Sequence, residues 1–204
     1  MIMAPYQSLL VRLWNSFARS KTGNDRAAAP TADEIIEVAA KKGGYSDYTD
    51  DNIREPLNIL LNYVAESESL HPFGRFYLNT FLAGLLTQRA RLAGLWTEKP
   101  EILRIPIDQP LIILGLPRTG SSFLFNALAQ DPSHRVITNW EAVVSQVPPN
   151  PVVDFHKDPR RRIGRWANRF QQHLAPALGD AHQFLLDGPE ECTPLLMQSL
   201  TSFS

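Results

Sequence analysis

The sequence predicts an α/β fold in which a largely helical N-terminal half precedes a short strand–loop–helix unit. Three observations support this prediction. Apolar residues recur at helical spacing through most of the first hundred residues. Leu111–Leu114 is a short apolar run rich in β-formers, which predicts a buried strand. Gly115–Gly120 then predicts a tight loop, and Ser121–Gln130 has the apolar spacing of an amphipathic helix.

The composition is that of an ordinary soluble protein with one domain. The chain has 204 residues, of which 44% are hydrophobic and 20% are charged. A formal net charge of -1 gives no general attraction to nucleic acid. Cys192 is the single cysteine, so an internal disulfide is excluded and a reducing compartment is compatible. We find no membrane-spanning run and no signal peptide in the sequence and expect a cytoplasmic protein.

The first amphipathic segment, residues 5–19, leaves two interpretations open. Its wide apolar face fits a helix docked on its own domain, or a helix on a partner or a membrane surface. Arg12 and Arg19 are few basic residues for a strong surface anchor. Three further helices are predicted, and the first of them has a capping box at Thr31–Glu34. They run from there to Lys42, from Asp50–Asp51 past Val64, and from about Phe73 to Trp96.

The sequence after the helical half predicts an extended segment and a second strand of the sheet. Pro100–Pro110 contains three prolines and predicts an extended segment. Arg135–Thr138 predicts a second short strand, which ends close to Glu141. Because open α/β sheets collect ligands at the carboxyl ends of their strands, we expect Glu141 near the loop that follows Leu114.

That loop has the spacing of a phosphate cradle. Gly115 and Gly120 are separated by four residues, as in the Walker A pattern G-x-x-x-x-G-K-(S/T). Ser122 takes the final position, but Ser121 stands where Walker A has lysine, and Arg118 is the basic residue instead. A guanidinium can bind phosphate oxygens in a fork, so the loop predicts an anion site. A plain strand-to-helix turn is the alternative.

The segment Gly115–Ser122 resembles the cofactor loop of sulfotransferases. The closest likeness is to the bacterial-type branch related to the tyrosyl-protein sulfotransferases. Pro117–Ser122 matches the pattern Pro-Arg-(Ser/Thr)-Gly-(Ser/Thr)-(Ser/Thr) throughout. The resemblance runs from about His71 to the last residue. Its other marks are Asp131-Pro132, Trp140-Glu141, Pro148-Pro149 and Gly188-Pro-Glu-Glu-Cys192.

This resemblance implies a P-loop-like parallel sheet flanked by helices. It implies an enzyme that moves a sulfuryl group from 3′-phosphoadenosine 5′-phosphosulfate (PAPS) to a hydroxyl or amine, without a metal. The cofactor-binding residues it implies are Pro117, Arg118, Thr119, Gly120, Ser121 and Ser122. Arg118 would neutralise the sulfuryl group or the 5′-phosphate. The N–H groups of Thr119 and Gly120 would hold that phosphate, and Ser121 or Ser122 would bind the bridging oxygen.

Glu141 is the residue we expect to take the acceptor proton. A glutamate follows the cofactor loop at a similar distance in the tyrosyl-protein branch. The alternative is that Glu141 only caps or solvates the start of a helix. His182 stays open as a base, since some sulfotransferases use histidine. Glu190 and Glu191 are expected at a helix start, with a role at the acceptor site as the alternative.

Sulfotransferases continue well beyond the segment that this chain resembles. A later strand and helix in them bind the 3′-phosphate of PAPS. We find no counterpart and expect the N-terminal portion of a sulfotransferase domain. In it, residues 1–109 form a helical cover and 110–204 begin the α/β core. The acceptor is expected to be a small molecule or lipid-like, and a homo-oligomer through an exposed sheet edge is open. The alternatives are an inactive protein that acts by association, and a P-loop kinase or ATPase.

Overall fold

The computed structural model describes residues 8–22, 30–47, 51–68, 70–116, 119–149, 151–174, 176 and 185–201. Its first half is helical, which confirms the four predicted helices. Their bounds are α1 Leu9–Thr22, α2 Ala32–Gly43, α3 Asp51–Glu66 and α4 Pro72–Glu98. The capping box at the start of α2 is confirmed as well. Glu34 N donates to Thr31 Oγ1 at 3.2 Å, and Thr31 N donates to Glu34 Oε2 at 2.8 Å.

The hydrophobic core of this half lies between α2, α3 and α4. Close packing of α2 on α4 depends on Gly43, where an added Cβ would lie 2.5 Å from the Ala90 Cβ. Leu200 is buried in the same cluster, so the C-terminal segment packs against the N-terminal helices. The other buried members are Ala32, Ile35, Ala39, Ile53, Leu57, Leu61, Leu82, Ala83, Leu85, Leu86 and Ala90.

A buried cation joins α3 to α4. The Arg75 guanidinium lies at the start of α4 and donates to the carbonyl oxygens of Val64, Ala65 and Ser67. The last carbonyls of a helix have no partner within that helix. Arg75 therefore satisfies the C-terminal end of α3 and fixes the angle between the two helices.

The second half contains one long helix and several shorter ones. Pro100–Arg104 is a 3₁₀-helix, so the extended segment predicted from Pro100 begins only after it. The remaining helices are α5 Ser121–Leu128, α6 Asn139–Val143, α7 Pro159–Leu174 and α8 Thr193–Leu196, with 3₁₀ turns at Phe155–Lys157 and Met197–Ser199. Gln88 Nε2 of α4 donates to Val144 O at 2.5 Å and ties α6 to the helical half.

The structure corrects the burial predicted for Leu111–Leu114. This segment carries no helix or strand assignment, and Leu111, Ile112 and Leu114 are 64%, 70% and 90% exposed. A strand is buried only when neighbouring strands cover its edges and other elements cover its faces. Within the described residues the only β pairing is an isolated antiparallel bridge between Thr138 and Pro189. In the described residues, the second predicted strand, Arg135–Thr138, pairs only at Thr138.

Candidate functional site

The loop after Leu114 closes on itself and opens α5 at its N-terminus. Thr119 Oγ1 donates to Leu116 O at 2.7 Å, and an added Cβ on Gly115 would lie 3.1 Å from that hydroxyl. Gly120 has φ 90°, a left-handed conformation that glycine adopts without strain. No described side chain caps α5. The first N–H groups of a helix lack partners within it, so this end can bind an anion.

Two of the predicted ligands, Pro117 and Arg118, lie outside the described residues. Their assignment to the cofactor and the catalytic role of Arg118 therefore remain predictions. The structure does describe Thr119, Gly120 and Ser121, which lead into the first turn of α5 beside Ser122. His182, the alternative base, also lies outside the described residues.

A carboxylate that is distant in sequence contacts the start of α5. Ser122 Oγ donates to Glu191 Oε1 at 2.9 Å, across 69 residues of sequence. Both side chains are exposed to solvent. Glu191 therefore lies next to the N-terminus of α5. Its negative charge interacts favourably with the helix dipole and repels a second anion.

A buried polar network holds the turn that carries Glu191. Asn168 Nδ2 of α7 donates to Asn139 Oδ1 at 3.1 Å, and Asn139 Nδ2 donates to Glu190 Oε2 at 2.6 Å. The other oxygen of Glu190 accepts from Glu191 N at 3.1 Å. Glu190 N also donates to Ile137 O at 2.9 Å. The helix start predicted at Glu190 is thus wrong, because its backbone is held by this bridge and α8 begins later.

Glu141 lies in the first turn of α6. Its Oε2 accepts from Thr138 N and Oγ1 at 2.9 and 2.8 Å, which closes a capping box on α6. Its Oε1 accepts from Arg135 Nη2 at 2.9 Å. The side chain is 15% exposed. Both oxygens therefore have structural partners, as the helix-cap alternative expects, and Glu141 does not line the cleft beside the loop.

That cleft has a volume of about 830 Å³. Gly115, Ser121, Ser122 and Glu191 line it near the start of α5, and Asp108, His134, Arg135 and Glu190 are further polar lining residues. Its walls come from the segments 107–113 and 133–137 and from α5 and α8, and they are mostly apolar. The apolar lining includes Leu111, Ile113, Phe125, Leu128, Val136, Ile137 and Leu195. The walls suit a ligand with an apolar body.

Two ion pairs fix α7 beside this site. The Arg161 guanidinium donates to both oxygens of Asp187 at 2.8 and 2.5 Å, and this hydrogen bond holds the Asp187 pKa below its ordinary value. Arg160 makes the same kind of bond to Asp158, which lowers the Asp158 pKa. Arg161 is thus engaged by Asp187, while Arg165 and Arg169 on the same helix are exposed.

Sequence reasoning missed Asn139 and Asn168. Neither residue belongs to a pattern, and their partnership depends on α6 and α7 crossing at Gly164. The signal for Glu191 was present in the run Gly188-Pro-Glu-Glu191, but its contact with Ser122 spans too much sequence to be read from spacing. In the described ranges, no group of three or more His, Cys, Asp or Glu residues has the geometry to hold a metal ion.

Comparisons with known proteins agree with the resemblance to sulfotransferases that the loop sequence suggested. The model of a family described as the sulfotransferase family matches residues 110–204. The structure is similar to sulfotransferase STF9 from Mycobacterium avium, with a TM-score of 0.68, 29% identity, and coverage of 87% of this chain and 45% of that one. It is also similar to sulfotransferase STF1 from Mycobacterium tuberculosis, with a TM-score of 0.67, 29% identity, and coverage of 88% of this chain and 49% of that one. The chain thus spans less than half the length of each. A comparison with curated proteins gave no match. Residues 110–204, which carry the loop and α5, are therefore similar to the sulfotransferase family.

Proposed function

We propose that this chain supplies the donor-binding part of a sulfotransferase that uses PAPS and a hydroxyl or amine acceptor. The observation that carries the proposal is the left-handed Gly120 leading into the uncapped N-terminus of α5. These features fit the phosphate end of such a donor, because glycine lets the backbone approach closely and the helix end favours negative charge.

The residues that would hold the donor are those of the loop. Arg118 would pair with phosphate or sulfuryl oxygens, and Pro117 would shape the turn before it. The N–H groups of Thr119 and Gly120, with the hydroxyl of Ser121 or Ser122, would hold the phosphate. The bound donor supplies the activated sulfuryl group. The Ser122 hydroxyl has one proton, which it donates to Glu191. It would have to break that hydrogen bond before it could donate to PAPS.

The acceptor proton needs a base. Glu141 is our candidate from sequence, and as a base it would have to give up a capping or ion-pair contact. Glu191 is the carboxylate in contact with the loop. Assay of Glu141→Gln and Glu191→Gln side by side separates them. Turnover lost only in Glu141→Gln supports the assignment from sequence, and full activity of that variant would remove it.

The proposal includes a fold, an acceptor class and a cellular location. We place Leu111–Leu114 and Arg135–Thr138 as strands of a P-loop-like parallel sheet, with residues 1–109 as helical cover of the same domain. The similarity to two sulfotransferase structures supports this placement. The acceptor we propose is a small or lipid-like molecule in the cytoplasm, because the cleft walls are mostly apolar. No helix in the described ranges is long and apolar enough to cross a membrane.

Calorimetric titration with 3′,5′-adenosine bisphosphate tests the proposal, with Mg-ATP as the competing ligand. We expect selective binding of the bisphosphate and a loss of at least about tenfold in affinity for Arg118→Ala, the size of one strong charge-assisted contact. Arg165→Ala is the matched control, because Arg165 is an exposed cation on α7. Preference for ATP would replace the proposal with a nucleotide kinase or ATPase. Binding of neither would favour a protein that acts by association.

A further inference from the structure

The backbone that leads into Glu191 is bound to the start of α6. Glu190 N donates to Ile137 O at 2.9 Å. In the opposite direction, Asn139 N donates to Gly188 O at 3.0 Å. Because these two bonds lie on either side of one residue of the turn, the position of Glu191 depends on the position of α6.

The side chain of Asn139 adds a second connection between α6 and Glu191. Asn139 is 2% exposed, and Glu190, whose Oε2 accepts its Nδ2 hydrogen bond, is 7% exposed. The other oxygen of Glu190 accepts from Glu191 N. Loss of the Asn139 donor would leave a buried carboxylate oxygen without that bond, which favours rotation of Glu190 toward water. Such a rotation would also release Glu191 N.

Asn139 can affect a ligand in the cleft only through other residues. The lining of the cleft includes Glu190 and Glu191 but not Asn139. Glu191 in turn accepts the hydrogen bond of Ser122 at the start of α5. That contact engages the single proton of the Ser122 hydroxyl and places a negative charge beside the helix end. Both effects oppose the binding of an anion there.

We propose that Asn139 is a positioning residue of the donor site, which holds Glu191 against α5 through Glu190 and thereby lowers the affinity of this end of α5 for phosphate. The inference rests on the proposed function, because it concerns the site that we propose for PAPS. The 3′,5′-adenosine bisphosphate formed from PAPS must leave before the next PAPS can bind. A lower affinity is expressed mainly as faster dissociation, so the network promotes product release.

Calorimetric titration of a double-mutant cycle with 3′,5′-adenosine bisphosphate tests the proposal. Asn139→Ala should bind the bisphosphate up to about threefold more tightly than the wild-type protein, which is the effect expected from moving the Glu191 charge away. In a Glu191→Gln background the same substitution should have no measurable effect on affinity. Stopped-flow displacement should show dissociation that is slower by the same factor as the affinity is higher.

The sign of the effect separates positioning from a structural role. A substitution that only loosens the fold would weaken binding, or change it equally in both backgrounds. Asn15→Ala is the matched control, since it removes another buried asparagine, which accepts a hydrogen bond from Phe73 N outside the cleft lining. It should leave the affinity unchanged. Unchanged or weaker binding by Asn139→Ala, or equal changes in the two backgrounds, overturns the proposal.

Hydrogen–deuterium exchange tests the connection without a ligand. Asn139→Ala should speed exchange in α5 but leave residues 82–90 of α4 unchanged, and it should add nothing in a Glu191→Ala background. Faster exchange that persists in that background overturns the proposal. If no form of the protein binds the bisphosphate, the proposed function fails, and exchange alone decides whether Asn139 holds Glu191 against α5.

Asn168→Ala is the second variant for all of these measurements, in case Asn139→Ala does not fold. It removes only the outer hydrogen bond of the network, from Asn168 Nδ2 to Asn139 Oδ1, and keeps Asn139 itself. Binding should change in the same direction as for Asn139→Ala, by a smaller factor. Weaker binding by Asn168→Ala would overturn the proposal as well.

Discussion

Ser122 in the first turn of α5 is hydrogen-bonded to Glu191, with 2.9 Å between its Oγ and the carboxylate Oε1. The contact places a negative charge beside the helix end that we propose for the donor phosphate. We expect Glu191→Gln to bind 3′,5′-adenosine bisphosphate about threefold more tightly, which is the repulsion between exposed charges several ångströms apart in water. Calorimetry at low and high salt measures the effect, which should shrink as salt rises.

Glu37→Gln is the control for that experiment. It removes the same charge from an exposed position on α2, away from the loop. Weaker binding by Glu191→Gln would contradict the expectation and would mean that the carboxylate organises the loop for its ligand.

The capping role of Glu141 predicts how two substitutions should differ in stability. Glutamine also serves in capping boxes, so Glu141→Gln should change the free energy of unfolding by less than about 1 kcal/mol, mainly through the exposed ion pair with Arg135. Glu141→Ala removes the cap and should cost about 1 kcal/mol more. Urea denaturation measures both. Equal stability of the two variants would show that the cap contributes little.

The asparagine network predicts a larger loss of stability. Asn168→Ala leaves Asn139 Oδ1 buried without its donor, which should cost about 2 kcal/mol. Gln172→Ala on the same helix is the control, because Gln172 is exposed and should change stability by less than about 0.5 kcal/mol. Thermal or urea denaturation distinguishes them, and equal effects would argue against the network as a source of stability.

The parts of this fold that the sequence predicts are those with local causes. Thr31 and Glu34 specify the start of α2 because the capping box needs only residues three apart. The helices α3 and α4 follow from apolar spacing, which is also local. The turn at Gly120 and the start of α5 were predicted in the same way, since a glycine loop followed by an amphipathic helix is visible in one short stretch.

The missed features depend on contacts between distant parts of the chain. The apolar run Leu111–Leu114 has strand character, but burial requires neighbouring strands that the described residues do not supply. Likewise, α1 was expected to have an apolar face, and which side docks is decided by Asn15 meeting the start of α4. Glu141 illustrates a third case, since its sequence position fits a base as well as a cap, and the contacts that close the capping box are visible only in the structure.

The ion pairs beside α7 predict acid lability. Hydrogen bonds from Arg160 and Arg161 hold the pKa values of Asp158 and Asp187 below the ordinary value of 3.8. Because the folded state prefers the ionised carboxylates, this stabilisation is complete above 3.8 and is lost as pH falls through the lower folded pKa values. Urea denaturation at a series of pH values from neutral down to about pH 2 should show stability falling below about pH 4.

The variant Asp158→Asn should lose part of this pH dependence. It replaces an ion-paired acceptor of the mostly buried Arg160 and should cost about 2 kcal/mol at pH 7, the size of a hydrogen bond to a charged group. Its stability should then fall less steeply than that of the wild-type protein below about pH 4. A parallel pH profile for the two proteins would mean that Asp158 does not contribute to the acid transition.

Gly164 sets how closely α7 approaches α6, and it gives a prediction with an internal control. An added Cβ would lie 2.9 Å from the Trp140 Cβ and 3.0 Å from Leu186 Cδ1. Trp140 is 1% exposed and cannot move aside, so Gly164→Ala should destabilise the fold by about 1–3 kcal/mol although alanine favours helices. Gly84→Ala in α4 meets nothing within 4 Å and should stabilise it by about 0.5–1 kcal/mol. Urea denaturation should therefore give opposite signs, and a stabilising Gly164→Ala would mean that α6 and α7 can move apart at little cost.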